Sequence, residues 1–229
     1  MRLTRLLIHV LVPGLLGLPL LVLGAGAASA QTSVDTALAI QRYPAVQRYG
    51  WSVGVAGKLT NSGDTSAIGG QTVRLERKGA TETDFSTVDT GTTDDAGAVT
   101  FTETAESNAQ FRLVFDGGTD AAGDTLTAST SVARSSKVAR ALNSTVTNDG
   151  PVIYKGNVDP GYGNETMYLQ RKTCKGCAWK AYAKQQTGAN GSWRFRVAEP
   201  KKGTWYYRAR TEADQDFVAS YALLQVTRL

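Results

Sequence analysis

The chain has 229 residues, a formal net charge of +5, and only one histidine and two cysteines. The histidine, His9, lies in the apolar N-terminal segment, so a chain that loses this segment has no imidazole. Such a chain excludes Ser-His-Asp and Cys-His catalysis and histidine ligation of zinc. Carboxylate-pair catalysis stays open, but most acids lie in turn-like stretches such as "TTDDAG", where Asp hydrogen-bonds the local backbone. We therefore expect no enzyme.

The N-terminus has the pattern of a secretory signal peptide over residues 1–30. Arg2 and Arg5 precede an apolar run, and the small residues Ala28 and Ala30 follow it. A transmembrane anchor is the alternative, but prolines and glycines interrupt the run. No second apolar stretch of spanning length follows. We predict a secreted, extracellular mature chain without a transmembrane anchor after signal cleavage.

Alternating apolar residues then predict β-strands separated by Gly, Asp and Asn turns. The segments "QTVRLERK", "GAVTFTE" and "QFRLVFDG" each place apolar side chains on one face, as do "ETMYLQRK", "GSWRFRV" and "TWYYRAR" later in the chain. The inward residues of the later segments are Met167, Leu169, Trp193, Phe195, Trp205, Tyr207 and Ala209. No segment after residue 30 carries a helical stripe, so the fold class is all-β.

The two groups of segments repeat at a constant spacing. The pairs Leu75 and Leu169, Gly97 and Gly191, and Phe101 and Phe195 each differ by 94 positions. Agreement in spacing, inward phase and turn glycine predicts an internal duplication. We place module 1 at 31–134 and module 2 at 135–229, with a short stiff connection at "VARSSKVAR".

The first copy, "YPAVQRYGWSVGVAGKLTNSG" through "ASTSVAR", resembles the bacterial immunoglobulin-like β-sandwich modules found in tandem in secreted actinobacterial proteins. The second copy resembles them more loosely. The resemblance implies two tandem antiparallel sandwiches of seven or so strands each in a Greek-key arrangement, without the inter-sheet cystine of antibody domains. Such modules serve as spacers, adhesins and carbohydrate binders.

The cysteines Cys174 and Cys177 stand in "TCKGC", between two predicted strands. A tight turn brings them within disulfide range, with Gly176 expected at a positive φ, and the secretory route would oxidise them. A redox dithiol usually opens a helix, and zinc needs two more soft ligands. We favour a disulfide, with redox chemistry, an intermolecular bridge and a metal site as the alternatives. The matching hairpin of the first copy reads "GATETD", so the fold does not require the bridge.

Charge differs between the two copies. Residues 50–134 carry six Lys and Arg against twelve acids, a net of −6, and residues 135–229 carry fifteen against seven, a net of +8. This asymmetry indicates contact between modules or molecules, or a second module that meets an anionic surface.

Strand phase predicts where the positive charge lies. With Trp179 and Ala181 taken as inward, the outward set forms a hypothetical binding face of Tyr168, Lys172, Lys180, Tyr182, Lys184, Tyr206, Arg208 and Arg210, with Gln170 among them. The alternative is a solvated sheet face whose basic side chains cover tyrosine rings.

Two functions remain. The first is a non-catalytic adhesion or binding protein whose second module contacts an anionic envelope polysaccharide or another protein. The second is a structural spacer without a ligand. We expect no cofactor, metal or nucleic-acid partner. Calcium at Asp116, Asp120 and Asp124 is a weaker alternative to turn chemistry.

Overall fold

The computed structural model describes residues 31–229, and within them every regular element is a β-strand. The all-β prediction is confirmed. No helix in this part of the chain is long and apolar enough to cross a membrane. The predicted signal peptide, residues 1–30, lies outside the described residues.

Twelve strands precede residue 140. They are β1 Ser33–Val34, β2 Thr36–Arg42, β3 Val46–Arg48, β4 Ser52–Asn61, β5 Thr72–Gly79, β6 Ser86–Thr92, β7 Ala98–Thr104, β8 Ala109–Phe115, β9 Gly118–Thr119, β10 Thr125–Leu126, β11 Ser129–Thr130 and β12 Arg134–Ala139. We call these the N-terminal strands.

Seven strands follow, which we call the C-terminal strands. They are β13 Ala141–Thr147, β14 Ile153–Asp159, β15 Thr166–Lys172, β16 Lys180–Gln186, β17 Ser192–Arg196, β18 Gly203–Arg210 and β19 Tyr221–Arg228.

The N-terminal strands form two main sheets that share one hydrophobic core. One sheet has the order β2-β4-β7 and the other β3-β12-β8-β5-β6, with a small β1-β10-β9 sheet beside them. Pairing is antiparallel except for β1 with β10 and β3 with β12. Val55 and Leu59 of the first sheet join Val73, Leu75 and Leu113 of the second in a single buried cluster. The alternation in these segments is therefore explained by burial of one face of each sheet.

The C-terminal strands repeat this strand order. Their sheets are β13-β14-β17 and β16-β15-β18-β19, which correspond in order to β2-β4-β7 and to β6-β5-β8-β12. A second buried cluster contains Met167, Leu169, Trp193, Phe195, Tyr207 and Ala209, and Trp205 packs against it half-buried. The inward phase predicted for these residues is confirmed.

One residue, Arg140, separates β12 from β13. Its Nη2 donates to Asp214 Oδ2 at 2.6 Å and its Nε to the carbonyl of Pro160 at 3.1 Å. The guanidinium lies 4.1 Å from the ring centroid of Phe217 and 5.1 Å from that of Tyr162. This buried cation therefore links the end of the N-terminal strands to two loops of the C-terminal strands.

The loop at residues 211–220, which joins β18 to β19, packs into the N-terminal core. Phe217 of this loop belongs to the N-terminal hydrophobic cluster and contacts the ring of Tyr49 edge-on. Asn108 donates its backbone N–H to the backbone carbonyl of Asp216 and its side-chain N–H to the backbone carbonyl of Gln215. We call Arg140 together with this loop the joint.

Electrostatics reinforce the joint. Burial acts to raise the pKa of Asp214, but hydrogen bonds from Arg140 and from the backbone of Phe217 outweigh it, and the pKa lies below its ordinary value. The side chain of Arg140 is only 6 % exposed, so the Asp214 carboxylate offsets the cost of burying the guanidinium.

Candidate functional site

The β15–β16 hairpin ends in the predicted disulfide. Cys174 and Cys177 are bonded, with their Cα atoms 5.2 Å apart, and Cys177 N donates to the Cys174 carbonyl across the turn. The disulfide prediction is confirmed. The positive φ expected at Gly176 is wrong, because this residue has ordinary backbone angles and the turn forms without a left-handed glycine.

The outer face of the sheet β16-β15-β18-β19 brings most of the predicted binding residues together. Tyr168 lies between Lys184 of β16 and Arg210 of β18, and Lys172 lies opposite Tyr206. Residues directly opposite in an antiparallel pair share a face. The basic face, as we call it, consists of Tyr168, Gln170, Lys172, Trp179, Lys184, Tyr206, Arg208, Arg210 and Tyr221.

The predicted phase of the β16 hairpin arm is wrong for Trp179, Ala181 and Tyr182. A β-bulge shifts the register, so that Leu169 faces Ala183 while Gln170 faces Ala181, and Tyr182 is the extra residue. One extra residue shifts the inward and outward alternation by one position, so the residues before it and after it in the strand are out of phase. Trp179 therefore lies on the basic face and Ala181 is exposed. The ring of Tyr182 instead packs against the C-terminal core, edge-on to Tyr207.

Lys180 also lies off the basic face. It is paired with Arg171, and Arg171 points to the inner side of the sheet, where its guanidinium is 4.4 Å from the ring centroid of Trp205 and 4.9 Å from that of Tyr182. The bulge is again the reason, because it places residue 180 in phase with the inward residues of β15.

Aromatic rings and cations alternate across the basic face. Lys172 Nζ lies over the rings of Tyr206 and Trp179, at 5.2 and 4.9 Å from their centroids. Arg208 lies over Trp179 and Tyr221, at 4.7 and 4.8 Å. Each ring thus holds a cation by cation–π attraction and fixes its position. Trp179 lies close to both cations, so this part of the face offers fixed positive charge.

The sequence-based prediction left Trp179 and Tyr221 out of the basic face. Trp179 was predicted to point inward because strict alternation along the strand does not allow for the bulge. Tyr221 had a usable signal, because Ala222, Leu224 and Val226 alternate inward along β19 and leave Tyr221 outward.

The corresponding face of the N-terminal strands is neutralised by acids. Glu76 lies 3.1 Å from Arg74 and 2.7 Å from Arg112, and Asp116 lies 2.7 Å from Arg74. Ninety-four positions later, Gln170 stands in place of Glu76 and accepts a hydrogen bond from Arg208 Nε at 2.6 Å. Among the described residues, the ion pair found on the basic face joins Arg210 to Glu212.

The contacts of the basic face are internal to the C-terminal strands. Lys172, Arg208 and Arg210 take their hydrogen-bond, ion-pair and ring partners from residues 170–221. Lys184 is exposed. The acidic N-terminal strands therefore do not supply the counter-charge of this face in the described chain.

The acids considered for calcium serve as turn and ion-pair groups. Asp120 Oδ1 accepts from the backbone of Ala122 and Asp124, Asp124 accepts from Thr32, and Asp116 pairs with Arg74. Within residues 31–229, no three His, Cys, Asp or Glu side chains gather as metal ligands.

Among the other acids, Glu103 has a pKa above its ordinary value. Burial is the larger cause, and the negative charge of Asp89 adds to it.

Comparison with known proteins gives no family. No protein-family model and no curated protein matches the chain. Among solved structures, it is similar to the D0-D1 domains of intimin (12 % identity, TM-score 0.31, covering 84 % of this chain and 98 % of that chain). A cytokine receptor complex matches with 14 % identity and a TM-score of 0.33 over 84 % and 96 %. A Salmonella alpha-2-macroglobulin mutant matches with 12 % identity and a TM-score of 0.33, covering 92 % of this chain and 16 % of that chain. These likenesses are too weak to carry an argument about fold or function.

Proposed function

We propose that the chain is a secreted, non-catalytic binding protein built from two tandem immunoglobulin-like modules, whose basic face contacts an anionic polymer of the cell envelope. The repeated strand order and the two separate cores support the modular part of this proposal. An acidic protein could bind the same face through its carboxylates and is the alternative partner.

The observation that carries the proposal is the fixed charge of Lys172 and Arg208, which have no carboxylate partner within 4.0 Å in the described chain. Lys172 and Arg208 are held between rings, and Gln170 stands where the N-terminal strands have the neutralising Glu76. Ordered cations without internal counter-ions favour an external polyanion, since the entropy of fixing the side chains is spent before binding.

The test is retention of the mature chain on immobilised teichoic acid, used as the anionic polymer. We expect retention that falls steeply between about 50 and 300 mM salt, because ions screen contacts between exposed charges. The variant Lys184→Gln/Arg208→Gln/Arg210→Gln should lose at least about tenfold in affinity, which corresponds to about 1.4 kcal/mol.

A matched control removes three positive charges from the other sheet. Lys155, Arg194 and Arg196 are exposed on β14 and β17, so Lys155→Gln/Arg194→Gln/Arg196→Gln changes net charge equally and leaves the basic face intact. Equal loss in both variants would mean that general charge, and not this face, holds the polymer. Retention of neither the wild type nor the variants would also contradict the proposal.

A structural spacer is the second candidate, and the joint favours it. Arg140, Asp214 and Phe217 tie both sets of strands together without a flexible linker. A spacer that needs only this stiffness predicts no salt-dependent retention on the polymer.

A further inference from the structure

A concave site beside the disulfide holds two cations on one side of the sheet. The pocket has a volume of about 490 Å³ and is lined by Arg171, Lys172, Thr173, Cys177 and Lys180, among others. It lies at the tip of the β15–β16 hairpin, where Arg171 and Lys180 share the inner side of the sheet and Lys172 points to the basic face. Neither Arg171 nor Lys180 has a carboxylate within 4.0 Å in the described part of the chain.

Arg171 is positioned before any ligand arrives. Its guanidinium lies 4.9 Å from the ring centroid of Tyr182 and 4.4 Å from that of Trp205. The disulfide closes the turn that follows Arg171 along the chain. Lys180 is the direct pairing partner of Arg171, so a guanidinium and an ammonium group on one side of the sheet are available to a ligand that accepts several hydrogen bonds.

The equivalent hairpin of the N-terminal strands contains its own anion. Arg77 and Gly79, which stand 94 positions before Arg171 and Thr173, both contact Glu82: Arg77 Nη1 lies 3.4 Å from Oε1, and the Gly79 backbone donates to Oε2 at 2.6 Å. The position equivalent to Glu82 is Gly176, which has no side chain. The C-terminal hairpin thus keeps the arginine that binds the carboxylate and lacks the carboxylate.

We propose that this pocket binds a phosphate group, which takes the place that Glu82 occupies in the first hairpin. Two cations, Arg171 and Lys180, favour a doubly charged phosphate over a singly charged carboxylate, and both Arg and Lys recognise phosphate oxygens. The inference goes beyond the polymer-binding proposal and does not depend on it, since Arg171 and Lys180 lie off the basic face.

The decisive variants change only Gly176. A Cβ at this position meets no atom within 4 Å, and its φ is not in the left-handed region, so a side chain fits without strain. Gly176→Glu restores the carboxylate of the first hairpin and should fill the pocket. Gly176→Gln has the same shape without the charge, so it forms no ion pair with Arg171 and should be displaced by phosphate.

In the experiment, the mature chain is titrated with inorganic phosphate, and binding is monitored through the NMR chemical shifts of the backbone amides. We expect saturable shifts at residues 171–180 in the wild type and in Gly176→Gln, and at least tenfold weaker binding in Gly176→Glu. Arg171→Gln/Lys180→Gln should weaken binding similarly, while Lys201→Gln/Lys202→Gln, with the same loss of charge outside the pocket, should not. Equal binding by Gly176→Glu and Gly176→Gln, or shifts that never saturate, would overturn the proposal.

Two further probes define the ligand. Acetate should bind more weakly than phosphate, and equal binding would make the pocket a carboxylate site and overturn the phosphate assignment. Dimethyl phosphate distinguishes the source: binding as tight as that of inorganic phosphate identifies a polymer-backbone diester, and weaker binding identifies a free phosphate or a monoester end. The variant Lys184→Gln/Arg208→Gln/Arg210→Gln should keep phosphate binding even if it loses the polymer, so the two proposals fail separately.

Discussion

At the scale of single residues, two glycines hold equivalent turns in the two sets of strands. Gly97 has a φ of 72° and Gly191 a φ of 77°. A Cβ would lie 2.4 Å from the Leu59 carbonyl oxygen at the first and 2.5 Å from the Val158 carbonyl oxygen at the second. Both positions therefore require glycine for two reasons, the left-handed backbone and the close approach of a neighbouring strand.

We expect Gly191→Ala to lower the free energy of unfolding by about 3 kcal/mol. Left-handed backbone costs an L-residue about 1–2 kcal/mol, and displacement of the Val158 backbone adds to it. Urea unfolding measures the change. Gly123→Ala is the control, because Gly123 has a φ of 91° with no atom within 4 Å of a Cβ, so this variant carries the backbone cost alone. Equal losses in the two variants would refute the role of the close contact.

At the scale of elements, the sequence predicted strands well and one strand phase badly. Burial on one face forces a two-residue period, so the inward residues Met167, Leu169 and Phe195 were readable from alternation. The bulge at Tyr182 adds one residue and reverses the phase, and no local signal in "CAWKAYAK" marks it. Phe217 was also missed as a core residue of the other strand set, because its burial depends on packing between distant segments.

The loop at residues 211–220 has an acid-sensitive contact. The pKa of Asp214 is lowered in the folded chain, so its contribution to stability is present above the ordinary pKa of about 3.9 and is lost as pH falls through the lower folded-state value. Asp214→Asn leaves the Arg140 cation without its carboxylate. We expect the variant to lose about 1–2 kcal/mol at pH 7, less than for a fully buried pair because Asp214 is 47 % exposed.

The check is urea unfolding of both proteins at pH 7 and at about pH 3. The difference between wild type and Asp214→Asn should shrink at the lower pH, because the unfolded wild type binds a proton at Asp214 there more readily than the folded chain does. Asp216→Asn, two residues away and outside the ion pair, serves as the control and should change stability little at either pH. A difference that is the same at both pH values would assign the loss to packing instead of charge.

At the scale of the whole molecule, the joint connects the two sets of strands through buried contacts, so we expect them to unfold as one cooperative unit. We expect a single thermal transition for residues 31–229, with calorimetric and van't Hoff enthalpies equal. Phe217→Ala should cost about 3 kcal/mol, as for other large-to-small core changes, and should reduce amide protection in β4 and β8, far along the chain from the substitution.

The control for this prediction is Phe85→Ala, because the ring of Phe85 lies against the half-buried cations Lys78 and Arg112 and outside either core. It should keep the single transition. Two separate transitions in the wild type, or loss of protection in Phe217→Ala confined to β18 and β19, would contradict cooperativity between the strand sets.

The single residue between β12 and β13 also bears on how the chain would respond to a pulling force. A flexible linker lengthens by up to about 3.5 Å per residue before any strand is loaded. Here the linker is Arg140 alone, and its side chain is fastened to Asp214 and Pro160. Tension applied to the ends would therefore reach the hydrogen bonds of β12 and β13 at once, and the first extension would require rupture of the joint or of a strand.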